Sequence, residues 1–248
     1  MLSYALGQFF LKLSVGILPW ITLIHVEDIG KSFFRLLVFL SFASAVLTLV
    51  LSFSADNWLL MVFIAALWAL FLIIKSSKST KLEYWIMPCF LAGAVVLKWQ
   101  NLVLLKSYSL TSFISVFLGA LLSGSALVAM VLGHWYLIRS QLSFHYLIRA
   151  TAIFMGLVLL RLVFGGYALL TLSDTGKNLL LGKVGEIMLI TRFLWGGFLP
   201  LFFLFFAYQC AKIHSNRSTT GILYFTTASI FMGELMSDYI FRLTGIGI

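Results

Sequence analysis

The sequence predicts an all-α fold, a polytopic transmembrane bundle of about eight helices with both termini on the extracytoplasmic side. Three observations predict it: 62% of the 248 residues are hydrophobic, only 10% are charged, and the apolar residues form long runs separated by short polar breaks. Soluble chains carry about 45–50% apolar and about 25% charged residues. The few polar residues here would not cover a soluble core, so most of this surface must face lipid.

A helix needs about 20 apolar residues to cross the hydrocarbon core. The runs are continuous and lack the alternation of a lipid-facing β-barrel, which makes strands improbable. Short connections throughout predict a single transmembrane domain over residues 1–248. The predicted spans, in order, are 3–25, 33–54, 57–75, 84–105, 109–138, 142–171, 180–210 and 219–242.

Composition also excludes other classes of protein. The net charge of +9 comes from Lys and Arg residues in the breaks between runs, where they suit lipid headgroups better than nucleic acid. Cys89 and Cys210 are too few for a metal framework, and we expect no metal site. The N-terminus has no basic region and no cleavage site before its apolar run, so we expect a retained first helix.

The basic residues predict the orientation of the bundle. Eight of them lie in alternate breaks and four lie in the opposite breaks or near the C-terminus, and the richer side is expected to be cytoplasmic. A bacterial inner membrane is the expected location. The first set is Lys31, Arg35, Lys75, Lys78, Lys81, Arg139, Lys212 and Arg217; the second is Lys106, Lys177, Lys183 and Arg242.

Charged residues also occur inside the predicted spans, where they are costly and usually face the interior of a bundle. On four different spans they fall at a similar depth, toward the extracytoplasmic side. Glu234 and Asp238 are four residues apart and therefore share one helix face. The basic residues within spans are Lys12, Lys98, Arg149, Arg161 and Arg192, and the acidic ones are Glu186, Glu234 and Asp238.

Two interpretations of these charges stay open. They form structural ion pairs between helices, or they line a polar pocket in the outer leaflet that binds an amphipathic small molecule and moves protons. In the second case Glu234, Asp238 and Glu186 relay protons. Lys98, Arg161 and Arg192 then hold the carboxylates ionised and bind the ligand.

The histidines favour no two-haem cytochrome. His25, His134, His145 and His214 all fall near the cytoplasmic ends of spans, whereas two haems need axial pairs at two depths. A single haem held by His134 and His145 remains an alternative.

Small residues in the seventh span have two interpretations, ordinary tight packing of helices and a kinked helix. Gly196, Gly197 and Pro200 follow Arg192 closely, and a kink there would open space beside the arginine. No P-loop, GxSxG, HExxH or DDxxD motif is present, and a lipid-modifying enzyme is therefore the last-ranked function.

The final span contains Gly233-Glu234-Leu235, followed by Tyr239 and Phe241. Together with eight spans and outward termini, this stretch resembles the NrfD-like membrane-anchor subunits of polysulfide and DMSO reductases. Asp238 stands where that family has an arginine, and the family's early His-Leu-Gly stretch is missing. The resemblance implies a haem-free, quinol-interacting bundle that exchanges electrons with a partner redox subunit.

The leading functional prediction is therefore a membrane subunit of a respiratory or redox complex that binds quinone or quinol and relays protons. Such a chain would not be catalytic alone, and its partners would be the bilayer and other redox subunits. The alternatives are a small transporter or channel that uses the same charges, and a purely structural anchor of a larger complex.

Overall fold

The computed structural model describes residues 2–24, 29–51, 58–76, 83–105, 110–139, 142–170 and 183–244, and the regular structure in these ranges is helical. The all-α prediction is therefore confirmed over this part of the chain. The helices are α1 (Leu2–Leu23), α2 (Lys31–Leu51), α3 (Trp58–Ser76), α4 (Glu83–Leu105), α5 (Leu110–Ile138), α6 (His145–Leu170), α7 (Lys183–Phe193), a π-helical turn (Leu194–Phe198), α8 (Leu199–Lys212) and α9 (Asn216–Thr244).

Each predicted span corresponds to a helix whose ends agree within a few residues. The seventh span comprises α7, the π-helical turn and α8, which follow one another without a gap. Six of the spans are long and apolar enough to cross a membrane: those of α1, α2, α3, α5, α6 and the continuous helical segment from α7 to α8. This is the architecture of a helical integral membrane protein. The count of eight spans and the side on which the termini lie stay predictions.

The two remaining helices, α4 and α9, differ from the six in composition. The apolar stretch of α4 is shorter, Ile86–Trp99. Helix α9 is long, but it turns many polar side chains toward the interior, among them Thr226, Thr227 and Ser237. Helix α3 shows the opposite pattern, because Met61, Trp68 and other large apolar residues lie on its outer surface. The bundle therefore keeps its polar residues inside and presents apolar side chains to lipid.

Helices α1 and α5 form the centre of the bundle. About 72% of the spanning part of α1 and 67% of that of α5 is buried, compared with 28–39% for the other four spans. The two helices cross where Gly16 meets Ala120 and Gly124, so closely that a Cβ on either glycine would overlap the backbone of the partner helix. Small residues allow such contact in membranes, where packing and hydrogen bonds take the place of the hydrophobic effect between helices.

Hydrogen bonds between helices add to this packing. Ser41 on α2 donates to the Ser14 carbonyl on α1 at 2.8 Å. Thr48 donates to the Gly7 carbonyl at 3.2 Å. On the other side of the bundle, Thr227 of α9 donates to the Ala126 carbonyl of α5 at 3.0 Å. These bonds connect α1, which carries Lys12, to α2, and α9, which carries Glu234 and Asp238, to α5.

The irregular seventh span is present as a widened turn. The Leu199 N–H bonds to the Leu194 carbonyl, the i→i+5 pattern of a π-helix, and the helical segment continues beyond it. Pro200 has no N–H to offer the Gly196 carbonyl four residues earlier. That carbonyl instead accepts a hydrogen bond from the Arg192 guanidinium at 3.4 Å. The proline thus turns a backbone oxygen into a partner for the arginine one turn away.

Candidate functional site

Five charged side chains from four helices meet inside the bundle. They are Lys12 of α1, Arg161 of α6, Arg192 of α7, and Glu234 and Asp238 of α9, and we call them the ion network. Each is at most 4% exposed. Burying an ion costs several kcal/mol unless partners compensate for its lost hydration. Five such groups therefore make this the most costly polar region among the residues that the structure describes.

Four members of the ion network lie at one depth, and Asp238 lies one helical turn nearer the end of α9. Lys12 is ten residues from the start of α1, Arg161 nine from the end of α6, Arg192 nine from the start of α7, and Glu234 ten from the end of α9. At a rise of about 1.5 Å per residue, each lies roughly 15 Å inside the end of its helix. Four helices thus converge at a common level, as the sequence predicts, with α1 contributing in place of α4.

Glu234 is the centre of the network. Its Oε1 lies 3.0 Å from Arg161 Nε and 3.0 Å from Arg192 Nη2. Its Oε2 lies 3.4 Å from Lys12 Nζ and 3.4 Å from Arg161 Nη2. Three cations from three other helices therefore surround one carboxylate, and each of its oxygens lies close to two cationic nitrogens.

Arg161 is held on all sides. Besides Glu234, its guanidinium donates to Ser115 Oγ of α5 at 2.6 Å and to Ser237 Oγ of α9 at 2.8 Å. A planar guanidinium with five donors suits this many directional bonds, which a lysine could not make. Arg161 thereby joins α5, α6 and α9 at the level of the network.

Asp238 has a different environment. Its Oδ1 forms a short ion pair with Lys12 Nζ. Its Oδ2 is buried and accepts no hydrogen bond from any residue that the structure describes. The two carboxylates of α9 therefore share a helix face but not a pattern of partners.

Glycines make room for the charged side chains. A Cβ on Gly119 of α5 would overlap Glu234 Oε2 and lie 3.0 Å from Lys12 Nζ. A Cβ on Gly196 would lie 2.5 Å from Arg192 Nη1 and 2.8 Å from Gly233 Cα. Gly196 and Gly233 thus allow the π-helical turn to lie directly against α9, which brings Arg192 to Glu234.

The residues predicted from sequence divide into two groups. The structure brings together Arg161, Arg192, Glu234 and Asp238. Lys98 on α4 and Glu186 on α7 are exposed and lie outside the ion network. Lys98 lies at the end of the apolar stretch of α4 and Glu186 in the first turn of α7, where a long charged side chain can extend toward water.

The histidines that were predicted as an alternative haem pair are exposed at the opposite end of the bundle. His134 Nδ1 lies 3.0 Å from the Tyr224 hydroxyl of α9. His145 begins α6 and its ring meets the edge of Tyr146. His25 lies outside the described residues. Within those residues, no group of three or more His, Cys, Asp or Glu side chains is placed to hold a metal ion.

Sequence reasoning did not assign Lys12, Ser115 or Gly119 to the site. Lys12 carried a signal, since it is a single cation in the middle of an apolar helix. Ser115 and Gly119 carried none, because serine and glycine are common wherever membrane helices pack. Their part depends on which helix faces which, and that is a property of the tertiary structure.

These features define a helical membrane protein with a closed ion network in one half of its bundle. No protein-family model, curated protein or solved structure matches the chain.

Proposed function

We propose that this chain is a membrane subunit of a redox complex that binds a quinone or quinol beside the ion network and handles the accompanying protons. The observation that carries the proposal is the network itself, five ionisable side chains buried within about one helical turn of one depth. Apolar residues of similar size would hold the helices together at lower cost. Ionisable groups retained at such a depth in a bundle are characteristic of proton and ligand sites.

The residues of the network suit a quinone. Quinone oxygens accept hydrogen bonds, and Arg161 and Arg192 are donors at one level of the bundle. Ser115 and Ser237, whose hydroxyl oxygens accept from Arg161, each carry a hydroxyl hydrogen that can be donated. When bound, the quinone supplies two-electron redox chemistry that is coupled to protons. The protein's own groups orient the ring through the guanidinium donors and exchange protons at a carboxylate of α9.

In this proposal the quinone reaches the ion network from the lipid at the π-helical turn. Gly196 and Gly197 are buried, whereas Leu194, Trp195 and Phe198 of the same turn lie on the outer surface. An apolar ring moving in the bilayer would therefore meet the bundle within one turn of Arg192. Widened helical turns frequently occur at functional sites.

The proposal extends to the surroundings of the chain. Electrons would pass to or from a neighbouring redox subunit in a bacterial inner membrane, and the network would lie in the outer leaflet. Glu186 and Lys98 would then act from the rim of the site. Haem binding by His134 and His145 remains an open alternative for the opposite end of the bundle.

Binding of a short-chain quinone analogue to the purified chain in lipid nanodiscs tests the proposal. Trp195 lies in the π-helical turn, so bound quinone should quench tryptophan fluorescence with saturation. We expect Arg192→Gln to abolish this quenching and Arg149→Gln, an exposed position on α6, to leave it unchanged. Equal affinity in both variants, or no saturable quenching in the wild type, contradicts the proposal. Co-purification in mild detergent would show whether redox subunits accompany the chain.

A transporter or channel is the second candidate, and the π-helical turn is the observation that favours it. An irregular turn beside a buried arginine is a natural place for a helix to change register during transport. Solute-dependent flux in proteoliposomes of the chain alone would support this function.

A structural anchor is the third candidate, favoured by the full pairing of Glu234. It predicts that Arg192→Gln, which leaves Glu234 paired with Lys12 and Arg161, leaves the activity of the assembled complex intact. The quinone proposal predicts that the same replacement abolishes it.

A further inference from the structure

The two carboxylates of α9 differ in what a proton would have to displace. Both oxygens of Glu234 lie within 3.4 Å of cationic nitrogens, contributed by Lys12, Arg161 and Arg192. Asp238 pairs with Lys12 through one oxygen, and its other oxygen accepts no hydrogen bond from the described residues. We propose that the Lys12–Asp238 pair exchanges protons with the outer aqueous side, while Glu234 is a fixed counter-ion. This assignment rests on the proposed function, because it names the group that handles the protons of the quinone site.

Protonation of Glu234 would break the network. A proton on either oxygen would take the place of a guanidinium or ammonium donor. The positive charges of Arg161 and Arg192 would then face each other without the anion between them, and unpaired buried charges are strongly destabilising. Glu234 therefore acts as the group that fixes the three cations.

Protonation of Asp238 requires no such loss. A hydronium ion gives its proton to Oδ2, one O–H bond forms, and a water molecule is left. No electron moves and Oδ1 keeps its contact with Lys12. The charged groups around Asp238 are Lys12 from α1, Arg161 from α6, Arg192 from α7 and Glu234 on its own helix. Because the three cations are already linked through Glu234, they can stay in place when Asp238 changes its charge.

A row of polar side chains lies between this pair and the end of the bundle. Tyr4, Gln8 and Lys12 are spaced four apart on α1, and Asp238 and Arg242 are spaced four apart on α9, so each set shares one helix face. Gln8 is 6% exposed and Tyr4 is 38% exposed. The Arg242 guanidinium lies 4.4 Å from the Tyr4 ring centre, which joins the two rows at the surface. Protons would move along this seam, past Gln8, to Asp238.

Infrared difference spectra of the wild-type chain in nanodiscs, recorded across a pH step, test the assignment. A buried carboxyl group that gains a proton produces a carbonyl stretching band. Labelling aspartate carboxyl carbons with a heavy isotope should shift this band, and labelling glutamate carboxyls should not. This measurement needs no mutation, so a variant that fails to fold cannot obscure it. A band that shifts with the glutamate label, or no band at any pH, overturns the assignment.

Variants then place the band on one residue and test the route. Asp238→Asn should abolish it, whereas a band that persists unchanged would assign it to another aspartate. Gln8→Leu should slow its exchange in heavy water, with Gln209→Leu, an exposed position on α8, as the control; equal exchange in both overturns the route. The quinone titration is scored separately. Quinone binding together with a glutamate band contradicts only this inference. An aspartate band without quinone binding contradicts only the proposed function.

Discussion

At the scale of single residues, charge alone does not explain the site; the number of partners does. Glu234 has three cationic neighbours, and Arg161 has three separate hydrogen-bond acceptors in Glu234, Ser115 and Ser237. Removing one member of such a group leaves its partners buried with fewer compensating contacts. The decrease in the free energy of unfolding caused by a substitution should therefore increase with the number of contacts that it breaks, whatever the helix on which the residue lies.

Arg161→Leu should lower the free energy of unfolding by about 3–5 kcal/mol, the usual cost of removing one member of a buried ion pair. Arg149→Leu on the same helix should change it little, because Arg149 is exposed. Reversible unfolding in mixed detergent micelles measures both. Similar stabilities for the two variants would mean that Arg161 does not support the network.

At the scale of helices, close contact between backbones decides where the charged groups meet. Gly196 in the π-helical turn lies against Gly233 of α9, one residue before Glu234. The proline at position 200 contributes to the same feature, since it leaves the Gly196 carbonyl for Arg192. Two glycines and one proline thus determine the distance between Arg192 and Glu234.

Gly233→Ala should destabilise the protein and weaken the Arg192–Glu234 pair. The new Cβ would overlap Gly196 Cα and lie 2.8 Å from Gly196 N, which is backbone and cannot move aside without shifting the helix. We expect a loss of about 1–3 kcal/mol, as for other overpacked sites. Gly221→Ala on the same helix is the control, because nothing lies within 4 Å of its added Cβ. Thermal unfolding of both variants measures the difference, and equal melting temperatures would rule out the close contact.

At the scale of the whole molecule, the orientation in the membrane decides which aqueous compartment the ion network can reach. The network lies nearer the end of the bundle at which α1 and α7 begin and α6 and α9 end. If both termini are extracytoplasmic, as the basic residues predict, protons exchange with the outer side. The opposite orientation would place the same groups near the cytoplasm.

Cysteine labelling in intact cells distinguishes the two orientations. In a chain in which Cys89 and Cys210 are replaced by Ala, Ser3→Cys should react with a membrane-impermeant maleimide. His214→Cys should react only after the membrane is permeabilised. Both positions are exposed, so accessibility of the side chain does not bias the comparison. The reverse pattern would invert the topology and assign the network to the cytoplasmic leaflet.

The sequence by itself determined the helical membrane architecture, the approximate ends of the helices and the common depth of Arg161, Arg192, Glu234 and Asp238. These follow from hydropathy and from the constant rise of a helix, which are local properties. Only the tertiary structure decided that Lys12 joins the network, that Lys98 and Glu186 lie outside it, and that Glu234 and Asp238 have unlike partners. Those outcomes depend on how each helix is rotated about its axis and on which helices touch. Gly196 in the π-helical turn and Pro200 just after it contribute to this arrangement, because their effect depends on the contacts with α9 and with Arg192.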